Sequence, residues 1–332
     1  MTRTRTPLNS AKPVKSRKDI YGLRGPKVKT FSSGCTLLDC VLGGGWPYSR
    51  TVNIIGDRST GKTLLAIEAC ANFAAENKNA RIVYVEAEAA FDRDYAVSLG
   101  MPESAELPND PDACNKSGRP PMLAVEDVFE HLEGVMEDNQ QNKKILYVVD
   151  SMDALSDRKE QERGMDEGTF GTKSKQVSEW FRRQNYRLAQ SGITLIVVSQ
   201  VRDAIGVSFG EKLKRSGGRA LDFYATHALW LAHLGKIEKT KSGVKRTVGV
   251  NVRAKCKKNK IGPAFRECDI PIIFGYGVED VQAGLDWLIT VKKTSLLDMT
   301  VEQARKLSGG LGKLSDSDYD EERRNVSAAV RE

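Results

Sequence analysis

The sequence predicts an α/β fold built on a mainly parallel sheet, and three observations carry that expectation. Apolar runs such as IVYV, ILYVV and ITLIVV are continuous rather than alternating, as strands become when helices cover both faces of a sheet. They recur between stretches of helical spacing, and one of them, TVNIIG, leads through a glycine-bounded loop directly into a helix. The 332 residues, 40% hydrophobic and 29% charged, suffice for one large core with a smaller appendage. No segment reaches the roughly 18 apolar residues that a membrane-spanning helix needs.

Residues 1–30 form a basic arm, with nine Lys/Arg against one acid in a chain whose net charge is +7, so the remainder is close to neutral. The arm reads as a solubilising, partly disordered segment or as an electrostatic handle for nucleic acid, and charge alone does not choose. It lacks the apolar stretch of a secretion signal, and the six cysteines include no Cys-x-x-Cys pair, which together point to a reducing, cytoplasmic setting. Zinc is not expected, because His131, His227 and His233 have no ligand-like spacing with those cysteines.

The core domain is expected over residues 31–275. Residues 31–50 contain a short apolar helix stopped by Gly43, Gly44 and Gly45. A strand at 51–56, a helix at 62–76 carrying Leu64, Leu65, Ile67 and Ala71, and a strand at 81–88 follow. A Pro/Asn/Asp-rich loop around 102–121 precedes a helix near 125–137, a strand at 145–150, a helix at about 173–191 and a strand at 193–200. Two antiparallel strands, 227–233 and 247–257, are expected around a turn at 239–243. In the second, Val248, Val250, Val252, Ala254 and Cys256 point one way and Asn251, Arg253, Lys255 and Lys257 the other, giving an apolar face and a cationic one. A further strand is expected at 270–275. Residues 276–312 read as a small helical region with Leu285, Leu288, Ile289 and Val291 as its stripe, and residues 313–332 as a mobile charged tail.

The strongest chemical signal is Gly56-Asp57-Arg58-Ser59-Thr60-Gly61-Lys62-Thr63, a G-x-x-x-x-G-K-[ST] loop between strand and helix. Its glycines let main-chain N–H groups, through Leu64 at the helix start, turn toward phosphate oxygens; Lys62 reaches the terminal phosphates and Thr63 offers its hydroxyl to Mg²⁺. Asp150 ends the strand ILYVVD, where an acid joins the metal shell of a nucleoside triphosphate. Glu86 and Glu88 end another strand, and Glu88 is the better candidate for activating water. Gln200 ends a third strand and can sense a terminal phosphate. The basic, glycine-containing stretch 201–219, with single apolar residues Ile205 and Phe209, reads as a grip for nucleic acid.

Over about residues 30–290, the segments GDRSTGKT, VEAEAAFDRDY, VVDSMDAL, SQVRDAIGVSFG with SGGRALDFYA, and KKNKIGPAF resemble the RecA family of strand-exchange recombinases. The resemblance implies a P-loop NTPase fold of RecA type, its mainly parallel central sheet carrying an antiparallel extension, with a small C-terminal α/β appendage. It also implies ATP and Mg²⁺ as cofactors, single- and double-stranded DNA and further copies of the chain as partners, and a DNA-dependent ATPase that exchanges strands from a helical filament. Glu88 is then the water-activating base, Asp92 and Tyr95 the adenine neighbours, Asp150 the metal-shell acid and Gln200 the sensor. Lys258 and Lys260 match two lysines that approach a neighbouring subunit's triphosphate, and Phe223 matches an interface aromatic. DNA-contact positions fall on Lys175, Ser178, Arg182, Arg202, Gly217 and Gly218, with Phe170 and Ile205 as wedges between bases. Asp222 stands where bacterial enzymes have a lysine, and the stretch DRKEQERGMDEGTFG differs from theirs in composition. A short arm and a small C-terminal region fit a divergent, phage-like version. A non-catalytic mediator paralogue and a hexameric helicase on the same core are the alternatives.

Overall fold

The continuous apolar runs become strands with both faces covered, in a computed structural model that describes residues 28–162, 172–203, 213–215 and 220–332. In chain order, β1 (Thr30–Phe31), α1 (Thr36–Leu42) and β2 (Trp46–Pro47) lead into β3 (Thr51–Gly56) and α2 (Lys62–Glu76). Next come β4 (Arg81–Glu86), α3 (Arg93–Ser98), α4 (Pro111–Ser117), α5 (Val125–Asp138), β5 (Ile145–Asp150) and α6 (Arg158–Glu162). Then follow α7 (Thr172–Gln190), β6 (Ile193–Asp203), β7 (Leu213–Arg215), α8 (Ala220–Tyr224), β8 (His227–Lys241) and β9 (Val244–Asn259). The described chain closes with β10 (Glu267–Ile273), β11 (Gly277–Val278), α9 (Asp280–Thr290), α10 (Val301–Gly310) and α11 (Asp316–Arg331).

The main sheet has the order β11-β10-β9-β8-β3-β6-β5-β4, with β7 pairing on β6. Strands β8, β3, β6, β5 and β4 are parallel, and β9, β10 and β11 extend the sheet antiparallel. Side chains of one strand serve two cores. Ile196 and Val198 of β6 join the cluster under α2, with Leu65 and Phe73, whereas Leu195 and Val197 join the cluster under α5 and α7, with Phe129 and Phe181. Because β3 lies in the middle with β6 beside it, Gly56 sits in register with Gln200, while Glu86 at the end of β4 sits in register with Asp150. The parallel strands therefore deliver four functional candidates to one sheet edge. Among the described residues, no helix is long and apolar enough to cross a membrane.

Two expectations need correction. The hairpin is longer than read, its strands meeting at Ser242 and Gly243, both at positive φ (52° and 76°). Beyond His233 the ribbon is largely exposed, so no apolar alternation announces it. Residues 313–332 are not a mobile tail. Ser315 caps α11 by accepting from the Asp318 N–H, and Val326, Ala329 and Val330, spaced i, i+3, i+4, bury the helix against the core. Three apolar positions among many charges are enough once Arg323 also reaches Asp280 at 3.2 Å and the Gly34 carbonyl at 3.1 Å.

The seat of α11 is Gly284 of α9, where an added Cβ would lie 2.3 Å from Val326 Cγ1. Gly284→Ala gains about 1 kcal/mol of helix propensity, but the stiff, β-branched Val326 cannot swing aside, and overpacking costs about 1–3 kcal/mol. The expected net result is a lower thermal midpoint, readable by circular dichroism; a higher midpoint would mean that α11 does not seat there.

Candidate active site

The loop after β3 has the shape of a phosphate cradle. At Gly56 a Cβ would come within 2.5 Å of Thr60 Oγ1 and 3.0 Å of the Leu231 carbonyl, so only glycine lets the chain leave the strand there. Gly61 sits at φ +80°, where a Cβ would also meet Ile272 Cδ1 at 2.4 Å. Thr60 Oγ1 and Lys62 Nζ both donate to the Asp57 carbonyl, at 2.8 and 2.6 Å. Burial pulls the Lys62 ammonium pKa down, while the charges of Asp150, Glu88, Asp57 and Asp153 oppose that shift. Lys62 thus lies in the field of four carboxylates, and α2 begins at the same point with its first N–H groups directed out of the helix start.

Asp150 is buried and accepts a hydrogen bond from Tyr84 Oη at 2.7 Å. Desolvation raises its pKa, hydrogen bonds from Tyr84 and Thr63 lower it, and the charges of Glu88 and Glu86 raise it further. Among the described residues no ion pair reaches Asp150. A buried carboxylate short of positive charge, beside the Thr63 hydroxyl, fits Mg²⁺ with a nucleoside triphosphate.

The two acids at the end of β4 and just beyond it, Glu86 and Glu88, have different duties. Glu86 accepts from the N–H groups of Glu88, Ala89 and Ala90 at 2.8, 2.9 and 3.3 Å, so its carboxylate shapes the turn. Glu88 is carried over the sheet edge by that turn. Its Oε1 accepts from Ser151 Oγ at 2.6 Å and Gln200 Nε2 at 2.9 Å, whereas Oε2 has no hydrogen-bond partner among the described residues. One oxygen is held and the other is open to water. The Gln200 main-chain N–H donates to Asp153 Oδ2 at 2.5 Å. Tyr84, Ser151 and Asp153 were not singled out in the sequence; the available signal for the latter two was only their place one and three residues after the strand-end Asp150.

A second group gathers where β9 ends. Lys258 Nζ donates to the Phe223 carbonyl at 2.7 Å and to the Asp222 carbonyl, and Lys260 Nζ approaches the Phe223 and Tyr224 carbonyls at 3.4 Å. Both lysines thus rest on α8, and Phe223 beside them is 73% exposed. Asn259 between them is a hub: Oδ1 accepts from the Ile261 and Gly262 N–H groups at 3.0 and 2.7 Å, and Nδ2 donates to the Leu42 carbonyl at 2.9 Å. Burial, then the Lys260 charge, pulls the Lys258 pKa down to about 8 against the pull of Asp222.

Other candidates are not joined to these groups. Asp92 caps α3, accepting from the Tyr95 N–H at 2.9 Å, and among the described residues neither residue bonds to the phosphate loop. Lys175, Ser178 and Arg182 share one face of α7, the two cations exposed and Ser178 Oγ donating to the Ser174 carbonyl at 2.7 Å. The Arg202 main chain lies opposite Lys214 of β7. Phe170, Ile205, Phe209, Gly217 and Gly218 lie outside the described residues. On the cationic face of β9, Arg253 pairs with Asp269 at 2.7 Å and Lys255 with Glu267 at 2.8 Å, and Lys257 lies 3.8 Å over the Trp230 ring, so much of that charge is already matched.

The profile of the RecA N-terminal domain matches residues 20–279. Similar curated proteins include Protein RecA of Trichodesmium erythraeum (strain IMS101), 34% identical over 260 residues that cover 78% of this chain and 67% of the relative. Protein RecA of Prochlorococcus marinus (strain MIT 9515) is 35% identical over 261 residues, 78% of this chain and 65% of the relative. Protein RecA of Synechococcus sp. (strain CC9902) is 34% identical over 260 residues, 78% and 64%. The matched region thus spans about two thirds of the length of these relatives.

Proposed function

The chain belongs to the RecA family, and from that premise we propose that it is a DNA-dependent ATPase that assembles into helical filaments on single-stranded DNA and carries out homologous pairing and strand exchange. The observation that carries this reading is the constellation at the sheet edge: a phosphate loop with Lys62, the buried Asp150, and Glu88 held by Ser151 and Gln200 with one oxygen free.

Bound at this loop, ATP would lay its phosphates on the N–H groups of residues 56–64, and Mg²⁺ held by Thr63 and Asp150 would offset phosphate charge. Lys62, now resting on the Asp57 carbonyl, needs only side-chain rotation to reach a terminal phosphate. Glu88 Oε2 accepts the proton of the attacking water while Oε1 keeps its two donors, so the base does not drift as it works. Gln200 can exchange Glu88 for a phosphate oxygen. Because β6 runs on from Gln200 through Val201–Asp203 to pair with β7, a shift at the sensor moves the strand ends flanking residues 204–212.

Lys258, Lys260 and Phe223 are proposed to meet the triphosphate and surface of a neighbouring copy. Lys258 titrates near 8 in the isolated chain, so it is charged below that pH and neutral above it. A lysine facing a triphosphate must be charged, so above pH 8 assembly takes up a proton and weakens as pH rises. ATP-dependent assembly followed by light scattering is therefore expected to fall between pH 8 and 9.5, and Lys258→Arg, cationic throughout, to flatten the fall. An identical profile in both proteins would remove Lys258 from the interface.

Electron microscopy with single-stranded DNA and a slowly hydrolysed ATP analogue tests the reading as a whole. Filaments, together with ATP hydrolysis stimulated by single-stranded DNA, are expected. Particles that stay single refute it, ATP hydrolysis that single-stranded DNA does not stimulate favours a mediator, and hexameric rings that unwind a forked duplex favour a helicase.

A further inference from the structure

We propose that Asp153 is a positioning residue for the site: its carboxylate replaces β5 as the partner of β6 and so fixes where Gln200 meets Glu88. The kinetic part rests on the ATPase reading above; the structural part does not.

Strands β5 and β6 pair in register as far as Val149 opposite Val197, and β5 then ends at Asp150. The chain turns, the Met152 N–H still reaching the Val198 carbonyl at 3.1 Å. At the next donor of β6, the Gln200 N–H, there is no strand carbonyl to accept, and Asp153 Oδ2 takes its place at 2.5 Å. A carboxylate acceptor makes a bond roughly twice as strong as a neutral one. Among the described residues this is the one hydrogen bond that the Asp153 carboxylate makes, since Oδ1 is buried and unpartnered. The segment is itself anchored, because Lys173 in the first turn of α7 donates to the Asp153 carbonyl at 3.2 Å and to the Leu155 carbonyl. A chain of contacts thus runs from α7, which carries Lys175, Ser178 and Arg182, through residues 153–155 to the Gln200 main chain, and from the Gln200 side chain to Glu88 at 2.9 Å. Without the carboxylate, the end of β6 is free to shift, and a shift of about 1 Å is enough to break that last contact.

Asp153→Ala and Asp153→Asn are compared with the wild-type chain by two readouts: amide hydrogen exchange at Gln200 in nucleotide-free protein, and steady-state ATP hydrolysis with single-stranded DNA. Alanine is expected to speed Gln200 exchange at least tenfold and to lower kcat at least tenfold with KM within twofold. Asparagine, which keeps an acceptor oxygen in place, is expected to restore most of both. If the alanine chain does not fold, Asp153→Glu, whose acceptor is displaced by one methylene, is expected to behave as alanine would. Unchanged exchange in the alanine chain, an asparagine chain as impaired as alanine, or a raised KM at constant kcat overturns the proposal. A wild-type chain that hydrolyses no ATP defeats the ATPase reading instead, and the exchange comparison still decides whether Asp153 holds Gln200.

Discussion

Replacing Glu88 by glutamine is expected to slow DNA-stimulated ATP turnover by roughly 10²–10⁴-fold while ATP-dependent filaments still form. The substitution is nearly isosteric, and an amide oxygen can accept from Ser151 Oγ and Gln200 Nε2 as the carboxylate Oε1 does at 2.6 and 2.9 Å. The geometry persists, and what disappears is the capacity to take a proton at the second oxygen. The outcome separates chemistry from assembly, because Glu86, not Glu88, shapes the turn that carries both. Steady-state hydrolysis and negative-stain microscopy on the same preparation check it. Unchanged turnover would exclude Glu88 as the base, and loss of filaments would make it a binding residue.

Lys62→Ala is expected to abolish nucleotide-dependent DNA binding. Hydrogen bonds to charged groups are worth about 1.5–3 kcal/mol each, so losing an ammonium that meets more than one phosphate oxygen costs roughly 3 kcal/mol or more, about a hundredfold or more in nucleotide affinity. Loop collapse is not the cause, since Thr60 Oγ1 continues to satisfy the Asp57 carbonyl at 2.8 Å. Titration with a fluorescent ATP analogue and an unchanged thermal midpoint would show the loss to be local. Normal filaments from this variant would sink the site.

Strands β3 and β5 were legible because they are short, apolar on both faces and bounded by clear turns: the runs at Thr51–Gly56 and Ile145–Asp150 are the strands themselves. Equal lengths of β4 and β5 bring Glu86 beside Asp150, whereas the pairing of Gly56 with Gln200 is set by the register of β3 on the longer β6. What was not legible depends on contacts between distant segments. Nothing in VEAEAA tells that Glu86 is consumed by three main-chain N–H groups. Tyr84 lies within an apolar run, where its hydroxyl bond to Asp150 has no local signature. Asp153 looks like a loop acid until β6 lies beside it. The same holds for α11, whose apolar stripe is too thin to stand out among charges and gains meaning only against Gly284.

In the proposed assembly, Asn259 would bear on how a second copy is met. Its amide closes the turn after β9 and clasps the end of α1, so the two lysines on either side of it are mounted on a footing that belongs to the folded monomer. A docking partner then encounters cations whose backbone disorder was removed earlier, when the single chain folded, and little of the attraction is used up in freezing them at the moment of contact. The rigidity of one asparagine would in this way decide how readily successive protomers join, without that residue itself having to touch the triphosphate.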